Sequence, residues 1–522
     1  MGGGFGVRRA ACVSGCAAAI VVMAAPALAS PRSAGPTGPG GANSSSWTVY
    51  HDGPAGTGVA AGVGSVDTSA RAWTSPALNG QLYGEPLVLG DMVYVATEND
   101  MVYALSATTG AIAWSDRLGA PVPASALPCS NIGPNLGITG TPAIDPARQE
   151  IYVVADVLVN GKPHHMLTGM NTATGAVVLS QDVDPPGQEP AALLQRTGLT
   201  LDDGNVYFGF GGNAEDCGPY KGRVVGVPEA GGTPWFFTTE QVPGGRMGGV
   251  WMGGGAPAVG PDGDLWVSTG NGSQLSAKSP YDDSDGLLEL SPSLHLLQYF
   301  APANWWTNNS DDLDMTTAPV LLPSGQVLLA GKSQVMYLLN GTHLGGIGKQ
   351  QADLNLVCST NVDGGSAHVG MIVYLPCLSG VVAIKVTSSP PALHILWSSG
   401  IGGGPPIVAG GLVWTISQAG KLYGLDPATG KVRQQAAIGP VINHFPTPGI
   451  GASLMLAPTG HNVVAFRTSG TAVYREAGTV RGNSPQPPND GHLLAVAVPV
   501  CLIAAGALGW ITTWLIRRRQ RP

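Results

Sequence analysis

Between Gly84 and Ser115 apolar and polar positions sort into four short runs, PLVL, MVYVAT, MVYALS and AIAWS, rich in β-branched and aromatic residues. Gly90-Asp91, Asn99-Asp100 and Thr109-Gly110 separate them, and each pair is good turn chemistry. The unit predicts a four-stranded antiparallel sheet. Its opening recurs as GTPAID from Gly140, TGLTLD from Thr197, GAPAVG from Gly255 and TAPVLL from Thr317, then as GSAHVG from Gly365, GPPIVA from Gly404 and TPGIGA from Thr447. Closing turns of the Ala-Thr-Gly kind recur at Thr108-Thr109-Gly110, Ala173-Thr174-Gly175 and Ala428-Thr429-Gly430.

Eight such units, roughly 40 to 60 residues apart, match the repeat length of a β-propeller with one four-stranded blade per unit. A ring buries both faces of every sheet and leaves only short edges. The last unit, from Thr447 to about Ser469, lacks an outer strand, and Ala70–Ser75 (ARAWTS) is placed to supply it and close the ring. The fold class is therefore all-β, an eight-bladed propeller over residues 47–472.

Composition agrees with one large core. The 522 residues are 44% hydrophobic and only 11% charged, with 77 glycines and 43 prolines for turns. Two flanking segments predict export and anchoring. Arg8 and Arg9, the apolar Ala17–Met23 and the small-residue Ala27-Leu28-Ala29 read as a signal peptide over residues 1–29, with a flexible segment 30–46 after it. Leu493 to Ile516 carries no charge and is followed by Arg517, Arg518, Arg519 and Arg521. This predicts a transmembrane helix over 492–516, behind a Pro/Gly/Asn-rich linker 473–491, with residues 517–522 as a cytoplasmic basic tail. The expected location is the cell membrane, single-pass, with the propeller outside the cytoplasm.

Setting aside those six arginines leaves 19 of the 25 basic residues against 33 acidic ones, about −14 for the exported part. That sign argues against nucleic acid or anionic lipid as a partner. Of seven cysteines, Cys129, Cys217, Cys358 and Cys377 lie between the two flanking segments. An even number in an oxidising compartment predicts two disulfides, with three pairings open.

The blade pattern, with VYALSATTGAIAW and LYGLDPATGK, resembles the PQQ-repeat propellers of the quinoprotein alcohol dehydrogenase-like superfamily over residues 47–470. Local segments are most similar to the polyvinyl-alcohol dehydrogenase type. The resemblance implies a calcium ion and the quinone PQQ on the propeller axis. GGNAEDCG puts Glu215 at the metal-binding glutamate, VSTGNGS puts Asn271 at the asparagine, and DDLDMTTAPVLL puts Asp314 at the aspartate that also serves as base. LAGKSQVMYLL puts Lys332 at a quinone-contacting position, and Trp251 is the candidate for the tryptophan that floors the quinone. In an up-and-down blade the loop between strands two and three shares a rim with the connection to the next blade. Glu215, Asn271 and Lys332 fall in such loops of blades three, four and five, and Asp314 in the connection between four and five, so all four should meet at one mouth.

Cys129 and Cys217 should share that rim and bond to each other, where methanol-type enzymes carry adjacent cysteines. Cys358 and Cys377 flank Gly364-Gly365 and should form a structural staple of roughly 3 kcal/mol. No Cys-x-x-Cys-His haem motif occurs, so an enzyme of this kind needs a separate electron acceptor. The resemblance implies oxidation of an alcohol. The same repeat also builds non-catalytic propellers, including a bacterial outer-membrane assembly lipoprotein. Binding of a protein or glycan at the cell surface is therefore the alternative.

Overall fold

The computed structural model describes Met1 and residues 46–213, 216–443 and 445–470. The signal peptide, linker, transmembrane segment and basic tail read from the sequence lie outside these, Met1 apart. Among the described residues no helix is long and apolar enough to cross a membrane.

Among the described residues eight sheets of four or five strands follow one another, antiparallel apart from one added parallel pair, Phe300–Ala301 with Gly346–Ile347, and a small two-stranded sheet lies between the first two. Blade 1 comprises Leu87–Leu89, Met92–Ala96, Met101–Ser106 and Ile112–Arg117, the four runs of the sequence repeat. The remaining blades open at Ala143–Asp145, Thr200–Asp202, Ala258–Val259, Val320–Leu321, Ala367–Val369, Ile407–Ala409 and Gly449–Gly451. Each of these lies within a recurring opening. Middle strands are nearly all buried, as in Tyr94, Val102, Ala104 and Leu105, whereas outer strands such as Ile112–Arg117 are largely exposed. That gradient is what a radial stack of sheets imposes.

Ring closure follows the expectation. Trp73 and Thr74 pair with Ala465 and Val464 of the last blade, and Ser65–Asp67 extend the same edge opposite Ser469, Thr468 and Arg467. At the inner end, Gly451 of blade 8 lies so close to blade 1 that a Cβ there would stand 2.7 Å from Val88.

Blades are pinned to each other by outer-strand tryptophans. Trp114 of blade 1 donates its indole N–H to the Thr172 carbonyl of blade 2 at 2.9 Å, and its ring covers Gly175. Trp397 does the same to the Pro427 carbonyl at 2.9 Å and to Gly430. Trp73, in the closing strand, reaches the Ala107 carbonyl at 2.7 Å and covers Gly110. The recurring Ala-Thr-Gly turns are thus docking seats for the preceding blade.

The channel is crossed by a segment that the blade pattern did not announce. Trp47 bridges Val88 of blade 1, and the Thr48 carbonyl accepts from Ile144 of blade 2. Pro54 accepts from Val259 of blade 4, Thr57 from His368 of blade 6, and Val59 bridges Val408 of blade 7. Residues 47–59 therefore plug the axis. Glu85 is buried beside this plug, accepting from Trp47 Nε1 at 2.9 Å and from the His51 amide at 2.8 Å.

Candidate functional site

Asp314 follows the short helix Trp305–Asp311, in the connection from blade 4 to blade 5. Its carbonyl accepts from the Lys332 amide at 2.9 Å, and a Cβ at Gly331 would collide with it. Only glycine permits that approach. The Asp314 carboxylate is buried: Oδ1 accepts from the Asn271 amide at 2.7 Å, and Oδ2 lies 2.5 Å from Lys332 Nζ. Lys332 Nζ also stands 3.2 Å from the exposed Asp312 carboxylate.

Asn271 follows the second strand of blade 4, Leu265–Ser268, and Lys332 the second strand of blade 5, Gln326–Ala330. Both lie in the expected loops and, with Asp314, at one mouth. Asn271 Nδ2 reaches Asp216 Oδ2 at 3.4 Å, while its Oδ1 is buried with no hydrogen-bond donor. Asp216, in the corresponding loop of blade 3, also accepts from the Tyr220 hydroxyl. Glu215 lies outside the described residues; its neighbour Asp216 faces Asn271.

Trp251 is half-buried among glycines. A Cβ at Gly270 would collide with both its ring and Asp314 Oδ1, and Gly211 and Gly249 have no more room. Its indole N–H donates to the Gly212 carbonyl at 2.9 Å, and Tyr220 packs against it with ring centroids 6.3 Å apart. Cys129 and Cys217 are bonded across 88 residues, and Cys358 and Cys377 across 19, as expected.

Burial dominates the electrostatics. It pushes the Asp314 carboxyl up to about 6, with Lys332 pulling the other way. It opposes the Lys332 ammonium, but Asp314 and Asp312 outweigh it and hold Lys332 above its ordinary value. Two charged groups escape the sequence reading. Asp285 is wholly buried, neither carboxylate oxygen has a donor, and its amide donates to the Gly270 carbonyl at 2.9 Å. Arg196 lies in the connection from blade 2 to blade 3, and a Cβ at Gly254 would stand 2.6 Å from its guanidinium. The guanidinium is buried over the Tyr83 and Phe445 rings, at 5.8 and 4.9 Å from their centroids. Neither carries a local sequence signal. Trp305 and Trp306 belong to the helix; Trp305 is buried against Tyr281, 5.3 Å between centroids, and so packs rather than lining the mouth.

The PQQ_2 family model, described as outer membrane protein assembly factor BamB, matches residues 60–277. Residues 60–277 thus match a PQQ-repeat family model, and the fold is an eight-bladed propeller. Among solved structures, this propeller is similar to quinohemoprotein alcohol dehydrogenase from Comamonas testosteroni. There the identity is 16% and the TM-score 0.60, over 84% of this chain and 82% of that one. A europium-containing methanol dehydrogenase matches at 14% identity and TM-score 0.60, over 81% of this chain and 98% of that one. BamB from Moraxella catarrhalis matches at 13% and 0.50, over 76% and 97%. No curated protein sequence matches the chain. At such identities these likenesses speak for the fold alone, and chemistry has to be argued from side chains.

For a cation, the side chains at this mouth fit. Asn271 Oδ1 is a buried acceptor without a donor, and Asp314 and Asp216 are carboxylates beside it. Such oxygens are hard ligands suited to calcium. Gly211, Gly249 and Gly270 let the backbone pack directly against the Trp251 ring beside Asp314.

Proposed function

We propose that this propeller is an extracytoplasmic, membrane-held oxidoreductase that oxidises an alcohol with PQQ and calcium at the Asp314 mouth. The observation that carries the reading is the buried Asp314 carboxylate, fixed between the Asn271 amide and Lys332, with the donor-free Asn271 Oδ1 beside it. Asn271, Asp314 and, from the resemblance, Glu215 would hold the cation; Trp251 and Lys332 would contact the quinone. When bound, that pair supplies a Lewis acid and an acceptor for two electrons.

The chain's own part is binding and proton handling. The Asn271 amide holds Asp314 Oδ1, leaving Oδ2 to take the proton of an alcohol hydroxyl. Lys332 has a second carboxylate, Asp312, to turn to when Oδ2 is needed, so its charge stays local. There it can stabilise negative charge developing on a ligand oxygen. Arg196, buried with one guanidinium nitrogen lacking an acceptor, favours an anionic ligand on the axis. A separate electron acceptor completes the turnover.

The test is reconstitution of the full chain with calcium and PQQ, followed by dye reduction over a panel of alcohols. Asp314→Asn should cut turnover roughly 10²- to 10⁴-fold while cofactor absorbance persists. Unchanged turnover would remove Asp314 from the chemistry. Absence of cofactor binding at micromolar concentration would favour the second reading, a propeller that binds a cell-surface protein or glycan. That reading draws support from the family model over residues 60–277.

A further inference from the structure

On the outer strands of blade 2, at the same rim as the Asp314 mouth but with none of its residues, a second set of ligating atoms converges. His164 lies near the start of the third strand, Lys162–Asn171, Asp182 ends the fourth, Val177–Asp182, and Asp184 follows two residues later. One ligand atom from each falls within 4.8 Å of the others. His164 Nδ1 stands 2.8 Å from Asp184 Oδ2 and 3.2 Å from Asp182 Oδ2.

Each carboxylate is held by its other oxygen. Asp182 Oδ1 accepts from the Asp184 amide at 2.8 Å. Asp184 Oδ1 accepts from the His165 amide at 3.0 Å and sits 2.7 Å from His165 Nδ1. His165 is itself wholly buried, with Nε2 2.8 Å from Asp156 Oδ1. Both free oxygens thus point at one imidazole nitrogen, oriented by an outer layer of the kind that steadies metal ligands.

A single hydrogen on Nδ1 can at best be shared between the two carboxylate oxygens, which leaves their remaining acceptor capacity and mutual repulsion uncompensated. A divalent ion at the centre would satisfy all three atoms at once. We propose that His164, Asp182 and Asp184 form a binding site for a zinc-class divalent ion, clipping the third and outer strands of blade 2 together. One imidazole and two carboxylates favour zinc, cobalt or manganese over calcium. With His164 30% and Asp182 53% exposed, the ion has an entry path and room for water ligands.

The site does not depend on the alcohol-oxidising reading, and the test keeps the two apart. The full chain, stripped with chelator and kept in millimolar calcium to fill any axial site, is titrated with Co²⁺ and followed by visible absorption. One equivalent should bind, zinc should displace it, and zinc should raise the melting temperature. His164→Gln and Asp182→Asn should each weaken binding at least 10-fold with the far-ultraviolet dichroism unchanged, whereas Asp314→Asn should leave the titration as it was. The proposal is overturned if no cobalt binds below millimolar concentration, if both blade 2 variants bind as the native chain does, or if Asp314→Asn abolishes the signal.

Discussion

Glu98 and Asp100 sit at the turn between the second and third strands of blade 1, buried, with three of their four carboxylate oxygens lacking a donor. Burial drives Glu98 up to about 8 against hydrogen bonds from Gly137 and Thr139, and Asp100 up to about 9 with help from Asp156. Both folded values stand above an unfolded value of about 4. The native state therefore keeps protons that the unfolded chain has released, and this contribution to stability, full below pH ~4, is lost as pH rises toward 8 to 9. Glu98→Gln and Asp100→Asn, which keep the shape without the charge, should raise the melting temperature at pH 8.5 and leave it nearly unchanged at pH 4.5. Asparagine also tolerates the positive φ of 54° at position 100. Shifts of equal size at both pH values would mean that these carboxyls do not titrate with folding. Asp314, Asn271 and Lys332 were legible because each neighbours a recognisable blade segment. Asp285 and Arg196 were not, since what sets them apart is burial contributed by distant blades.

The Ala-Thr-Gly turns were readable as punctuation, but their repetition has a packing cause that no single unit displays. Gly175 has φ +75°, and a Cβ there would stand 2.7 Å from Trp114 of the previous blade. Gly187 has almost the same φ, +74°, and nothing within 4 Å. The pair separates backbone strain from lost docking. Gly187→Ala should cost about 1 kcal/mol through φ alone. Gly175→Ala should cost on the order of 2–3 kcal/mol, because the indole must also lift from its seat and weaken its bond to the Thr172 carbonyl. Chemical denaturation measures both, and Trp114 emission should change only in the first-named seat, position 175. Equal costs would show that the tryptophan contributes no blade-to-blade docking. The strands themselves were legible because period-two patterning is local, whereas each docking indole lies 30, 34 or 58 residues upstream of the turn carbonyl it bonds, in a different blade.

At the scale of the whole molecule, the ring is held by two uses of one N-terminal stretch. Residues 65–74 complete blade 8; the part at Trp73–Thr74 was foreseeable because the last unit was visibly a strand short, and the pairing of Ser65–Asp67 was not. Residues 47–59 were not, because WTVYHDGPAGTGV has no sustained period and makes its bonds to five blades rather than to a neighbour. Removing them would leave the Glu85 carboxylate without Trp47 Nε1 and the His51 amide, and would open the donors of Ile144, Val259 and His368 to water. Two hydrogen bonds to the Glu85 carboxyl are lost at about 1 kcal/mol each, and the lost Trp47 packing adds to this. Blade closure through Trp73 and Thr74 is untouched by that deletion. A variant lacking residues 46–59 should therefore still unfold in a single transition, at a lower temperature. Trp73→Ala attacks the other use, taking away the indole bond to the Ala107 carbonyl, and should loosen blade 8 against blade 1 with the plug still seated. If the deletion instead splits the calorimetric peak in two, the plug rather than the closing strand is what makes the eight blades one cooperative unit.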